Sequence, residues 1–149
     1  MDNLEFLIQI TKNYCGVIQD LSAKQLVAIP KGYKNNILWN LGHCLVVNEL
    51  LINKLSGVEM MIGEQELALF GRDTSPSDWS DTPYDVIEKI VPSAIRIQEN
   101  YESAIYQNYQ DYKISPFGTT LTNVEDAIRF SCFHGGVHLG IIMSRIHLL

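Results

Sequence analysis

Residues 36–56 read NILWNLGHCLVVNELLINKLS. At 100° per residue the apolar side chains of this stretch fall into two stripes. Ile37, Leu38, Leu41, Leu45, Ile52 and Leu55 form one; Trp39, Val46, Val47 and Leu50, with His43 among them, form the other. A surface helix carries one apolar stripe, whereas a helix with two is covered on both sides. The stretch therefore predicts a helix that sits centrally among others or turns one stripe to a second subunit. Gly57 is its expected stop, because glycine is favoured just past a helix end.

Three further helices flank it. Leu4, Leu7, Ile8, Ile10, Tyr14 and Val17 have helical spacing and predict a first helix from about Asn3 to Asp20, with a short turn at Ser22–Leu26. Thr82-Pro83 predicts the start of a third helix reaching about Asn108, since threonine caps well and proline suits a first turn. Pro92 is expected to kink or divide it. Thr122 and Glu125 form a capping-box pattern ahead of a fourth helix over about 123–147. Residues 57–82 carry no sustained period, apart from one or two turns at Glu64–Phe70. Gly71–Pro83 is loop chemistry, and a loop this long is often functional or spans a bundle as a crossover. Lys113–Leu121, with Pro116 and Gly118, reads as a loop. No strand pattern is evident. The expectation is an all-α fold, a four-helix bundle with a long crossover between the second and third helices, in one domain over 1–149.

Composition narrows the function. Of 149 residues, 46% are apolar and 19% charged, which excludes a disordered chain. Eleven basic against seventeen acidic residues give a charge of −6, so no nucleic-acid partner is expected. Cys15, Cys44 and Cys132 lie far apart with no CxxC pair, as free thiols of a cytoplasmic protein do. The N-terminus lacks signal-peptide features, and no run reaches the ~20 apolar residues of a membrane helix.

The four histidines are His43, His134, His138 and His147. His134 and His138 stand four apart, so on a helix they project from one face, the spacing by which two imidazoles share a metal ion. Val124, Ala127, Ser131, Ile141 and Ile142 fall within about 60° of His138, which puts the pair on a core-facing stripe. His147 falls about 180° away and is not expected as a ligand. A lone histidine on an apolar face, as His43 is, is ordinarily a hydrogen-bonded core ring. Two bare imidazoles on a core stripe are costly without partners, which shifts the weight toward metal. Three neutral imidazoles suit zinc or nickel and leave one coordination position open. A metal there would lower the pKa of a bound water toward ~7.

Asn-Asn-Ile-Leu-Trp-Asn-Leu-Gly-His at 35–43, followed far downstream by His134-Gly-Gly-Val-His138, resembles the DinB-like (DinB/YfiT) superfamily. The resemblance covers nearly the whole chain. It implies a four-helix bundle with a crossover between helices two and three, and a divalent metal on His43, His134 and His138. Trp39 matches the tryptophan one turn before the first ligand. Some relatives are metal-dependent thiol transferases that use low-molecular-weight thiols; one resembles a maleylpyruvate isomerase, and others have been called hydrolases.

Two other metal motifs fail. An HExxH peptidase needs a glutamate where Gly135 stands, and a di-iron bundle needs Glu-x-x-His pairs, of which the chain has none. Asn40, three residues before His43, is a candidate to hydrogen-bond a ligand ring or bound water. Glu49, about 120° from His43, is expected to be exposed. Tyr101, Tyr106 and Tyr109 are candidates for pocket walls but fit packing better, and Cys44 and Cys132 read as small core residues. Two readings follow. In one, a metal-dependent transferase or hydrolase acts on a small molecule or low-molecular-weight thiol, in a pocket between the second and fourth helices partly covered by the crossover. In the other, a non-catalytic homodimer keeps the histidines as structural groups, with the two-sided second helix at its interface.

Overall fold

A computed structural model of the chain describes residues 1–115 and 117–149. Its elements are helices α1 (Asn3–Ile18), α2 (Ala23–Val27), α3 (Ile37–Asn48), α4 (Glu64–Phe70), α5 (Val86–Glu102) and α6 (Val124–Ile146), with a hairpin of strands β1 (Tyr112–Lys113) and β2 (Thr120–Leu121) between α5 and α6. The protein is predominantly helical. The four longer helices pack in a ring: α1 lies against α5 and α6, and α3 lies against the same two. No described helix is long and apolar enough to cross a membrane.

Local chemistry sets the helix starts. Asp2 caps α1 through bonds from Leu4 N and Glu5 N, and Glu5 returns a bond from the Asp2 amide at 2.9 Å. Asn36 caps α3 by accepting from Trp39 N at 2.7 Å. Asn36 also accepts at its backbone oxygen from the buried Arg145 of α6, which ties the start of α3 to the end of α6.

Most of the two apolar stripes is covered within this one chain, Val47, Leu50 and Leu55 being half-buried. α6 and α5 cover parts of α3, and α4 covers another, its Phe70 ring lying directly over Gly42. A Cβ at position 42 would sit 2.3 Å from that ring, so glycine is required for the contact. The two-sided pattern is thus met largely within this chain, with Val47 and Leu50 left half-buried beside a cavity.

The helix does not run as regular α to residue 56. It widens into a π-helical segment over Glu49–Asn53 and tightens into a 3-10 turn over Lys54–Ser56, before Gly57 stops it at φ 70°. The expectation of an exposed Glu49 is overturned, because α5 and the start of the crossover cover the face from which it projects. This residue is fully buried. Its carboxylate accepts from Asn53 Nδ2 at 2.8 Å, from Met61 N at 2.9 Å and from the Ser93 hydroxyl of α5.

Three boundaries differ from the sequence reading. α5 begins at Val86 rather than at Thr82-Pro83, because residues 83–88 first form a tight turn, Val86 N donating to Pro83 O and Ile87 N to Tyr84 O. It runs unbroken through Pro92 but ends at Glu102, where Ala104 takes the left-handed φ of 53°. The cap of α6 is Asn123, whose side chain accepts from Asp126 N at 2.8 Å; Thr122 instead donates to the Asp126 carboxylate, and Glu125 accepts from Tyr101. The segment expected as a loop pairs at its ends, Tyr112 opposite Leu121 and Lys113 opposite Thr120, antiparallel. Of the residues that suggested that loop, Gly118 takes φ 72° and Pro116 lies outside the described residues.

Candidate metal centre

His43 projects from the middle of α3, and His134 and His138 from successive turns of α6. Because α3 and α6 pack together, the three rings meet. Their centroids lie 5.3 Å (43–134), 5.1 Å (43–138) and 4.4 Å (134–138) apart. One ring nitrogen from each comes within 4.8 Å of the others, and among the described residues no carboxylate or thiol joins the group. His147 is exposed at the far end of α6 and takes no part.

Each ring is held differently. His43 Nδ1 lies 2.8 Å from Phe70 O, a pure acceptor, so this nitrogen carries the proton and Nε2 keeps a free lone pair. The His43 ring stacks on Trp39 at 4.6 Å and 10°. The Trp39 indole in turn donates to Thr74 Oγ1 at 2.9 Å. His138 Nδ1 lies 2.8 Å from Asn40 Oδ1. The Asn40 amide nitrogen is spent on Asn36 O at 2.7 Å and on Asn35 Oδ1 at 3.2 Å, so its oxygen faces the ring and accepts. Asn40, singled out for its spacing from His43, therefore bonds the histidine of the other helix. His134 differs: its Nδ1 is buried with no hydrogen-bond partner.

This arrangement fits a divalent cation. A ligating histidine ordinarily donates its second nitrogen to a carbonyl or carboxylate, which fixes the tautomer, and two of the three rings already do so. The third leaves a buried nitrogen orphaned, a costly state without an acceptor site to fill. The rings are also held neutral, as ligands must be. Burial and then the neighbouring His43 push the His134 pKa down to about 4. Burial, then His134, His43 and Arg145, push His138 down to about 3. Burial lowers His43 too, against the bond to Phe70.

A cavity of about 290 Å³ opens beside His43 and His134. α3 contributes Val46 and Val47, the π-helical segment after it Leu50, and α6 Phe130, whose ring stacks over His134 at 5.9 Å. The crossover supplies Arg72. The hairpin supplies Tyr112 and Ile114, walls that the sequence reading missed because two-residue strands leave no periodicity to detect. Arg72 lies in the loop suspected of function, although nothing in its local sequence marks it.

The other candidates pack elsewhere. Tyr106 donates to Asn53, Tyr109 to Leu51 O and Tyr101 to Glu125, and none of the three lines the cavity. Cys44 and Cys132 are buried free thiols whose pKa values burial raises to about 12 and about 11, so neither is a nucleophile at neutral pH. Gly135 is a packing position: Tyr14 donates to its carbonyl at 2.9 Å, and a Cβ there would lie 2.7 Å from the same hydroxyl. A glutamate of the HExxH type does not fit at that point.

Helices arranged around a three-histidine group able to hold a metal ion define the class of protein. The profile of the DinB superfamily matches residues 7–142, and the chain belongs to that superfamily. Among proteins of curated function, none matches it.

Proposed function

We infer that the chain is a four-helix bundle of DinB type in a single domain, with the residue 57–85 crossover draped over the site. His43, His134 and His138 hold one divalent ion, and zinc or nickel suits the all-imidazole set best. The observation that carries this reading is the meeting of three neutral rings, two of them lining a cavity, with two rings oriented by acceptors and one with an orphaned buried nitrogen. When bound, such an ion supplies Lewis-acid activation of a water or a thiol, which fits transfer or hydrolysis on a small molecule. The chain's own residues orient the ligand rings through Phe70 and Asn40. Val46, Val47, Leu50 and Phe130 exclude water from one side. Free cysteines support a reducing, cytoplasmic setting.

Elemental analysis of untagged protein tests the metal. One ion per chain is expected, falling to background in the His134→Ala, His138→Ala double variant. Equal metal in both proteins would sink the assignment.

One observation favours the second reading, a homodimeric scaffold. On α6 the side chains of Phe133, Val137 and Met143 are 53%, 44% and 48% exposed. An apolar face of this kind supports association of two copies. Light scattering at micromolar concentration is expected to give twice the chain mass, reverting toward the monomer in Val137→Glu; a monomeric wild type removes this reading.

A further inference from the structure

Seventeen acidic residues outnumber eleven basic ones in this chain, yet the one charged side chain among the described residues lining the 290 Å³ cavity is a cation, Arg72. The remaining walls are mainly apolar. We propose that the cavity takes an amphipathic organic acid: a small molecule whose apolar body lies along Val47, Leu50 and Phe130 and whose carboxylate meets the Arg72 guanidinium. This rests on reading the cavity as the ligand pocket of the histidine site, and it names the class of compound that the site serves.

The chemistry of the walls discriminates among ligands. A carboxylate entering an apolar trough loses hydration and needs a fixed partner. The planar guanidinium fork matches a carboxylate in two parallel hydrogen bonds. An organic cation meets repulsion at the same point, and a neutral compound leaves the guanidinium unused.

Arg72 is tethered at the cavity mouth by one hydrogen bond. Its Nη1 donates to Ser115 O of the hairpin loop at 3.2 Å, which holds the head group between crossover and hairpin. Its turn is closed by Thr74, whose hydroxyl lies 2.8 Å from Gly71 O and accepts from Trp39. Trp39 stacks on His43, so the backbone turn that carries Arg72 is tied to the histidine site. The nearest carboxylate, Asp73, stands 3.9 Å from Nε; with Arg72 64% and Asp73 92% exposed at the cavity mouth, a solvated pair of this kind is weak. The head group thus remains available to a ligand acid.

Calorimetric titration of octanoate, 1-octanol and octylamine into metal-free and zinc-loaded protein tests the proposal. In metal-free protein, octanoate is expected to bind roughly ten-fold or more tightly than the other two, and Arg72→Gln should erase that preference. Val47→Phe, which fills the trough, should weaken octanoate while leaving zinc stoichiometry unchanged. Absence of any preference for the acid, or a preference that survives Arg72→Gln, overturns the proposal. Octanoate that binds only zinc-loaded protein, and equally well with Arg72→Gln, places the carboxylate on the metal; that outcome overturns this proposal and supports the metal site. An Arg72-dependent preference in a protein that takes up no zinc leaves the proposal standing while the metal reading falls.

Discussion

Asn40 spends its amide nitrogen on the α3 start and its oxygen on His138, so one side chain couples a helix terminus to a ligand ring. Asn40→Ala removes the acceptor that fixes the His138 tautomer. Zinc affinity, measured by competition with a chromophoric chelator, is expected to fall ~10–100-fold, the usual effect of losing such a partner. Gly42 acts through the crossover instead. Alanine there drives a methyl into the Phe70 ring, and Phe70 carries the carbonyl that holds His43. Gly42→Ala should cost ~1–3 kcal/mol in urea unfolding, as overpacking does, and should weaken zinc binding as well. Unchanged zinc affinity in that variant would separate Phe70 from the orientation of His43.

Elements are where the sequence and its fold part most visibly. At the start of α6 the expected cap was Thr122, but Asp126 N donates to the Asn123 side chain instead. Asn123→Ala is therefore expected to cost ~1 kcal/mol, by thermal or urea unfolding, and Thr122→Ala less. Just past α3, Glu49 is buried among Asn53, Ser93 and Met61 N. That carboxylate pins α5 and the start of the crossover to α3. Ser93→Ala leaves one oxygen without its donor, a loss expected to cost ~1–3 kcal/mol of stability. A variant as stable as wild type would show that water replaces the serine.

For the whole molecule, the buried histidines make stability depend on pH in a defined direction. The His134 and His138 pKa values in the folded protein, about 4 and about 3, lie below the ordinary value of 6.5. Between those limits the unfolded chain binds protons that the native chain refuses, so stability falls as pH falls. Metal-free protein should lose up to ~1.4 kcal/mol per pH unit for each ring below pH ~6.5. The loss should level off once pH passes the folded values. Urea midpoints at pH 7 and pH 5 check this, and His134→Ala, His138→Ala should flatten the dependence. The depressed carboxyls of Glu66, Asp85 and Asp126 act with the same sign, but only below their ordinary values of 4.5 and 3.8, so the span from pH 6.5 to 5 is free of their contribution.

Helical character and the central burial of residues 36–56 were legible from periodicity alone, because a side chain's angle around a regular helix follows from its number. The spacing of His134 and His138 was legible for the same reason. Packing between chain-distant segments was not. Glu49 is buried because Ser93 of α5 and Met61 of the crossover pack over its face of the helix, which no periodicity encodes. Asn40 found His138 rather than its own neighbour because α6 lies across α3. Arg72 and the hairpin became cavity walls only when a crossover without sequence period settled against Trp39 and Gly42. Local hydrogen-bonding geometry repeats along a chain and can be counted; which surfaces meet depends on shape and exclusion of water across the whole fold.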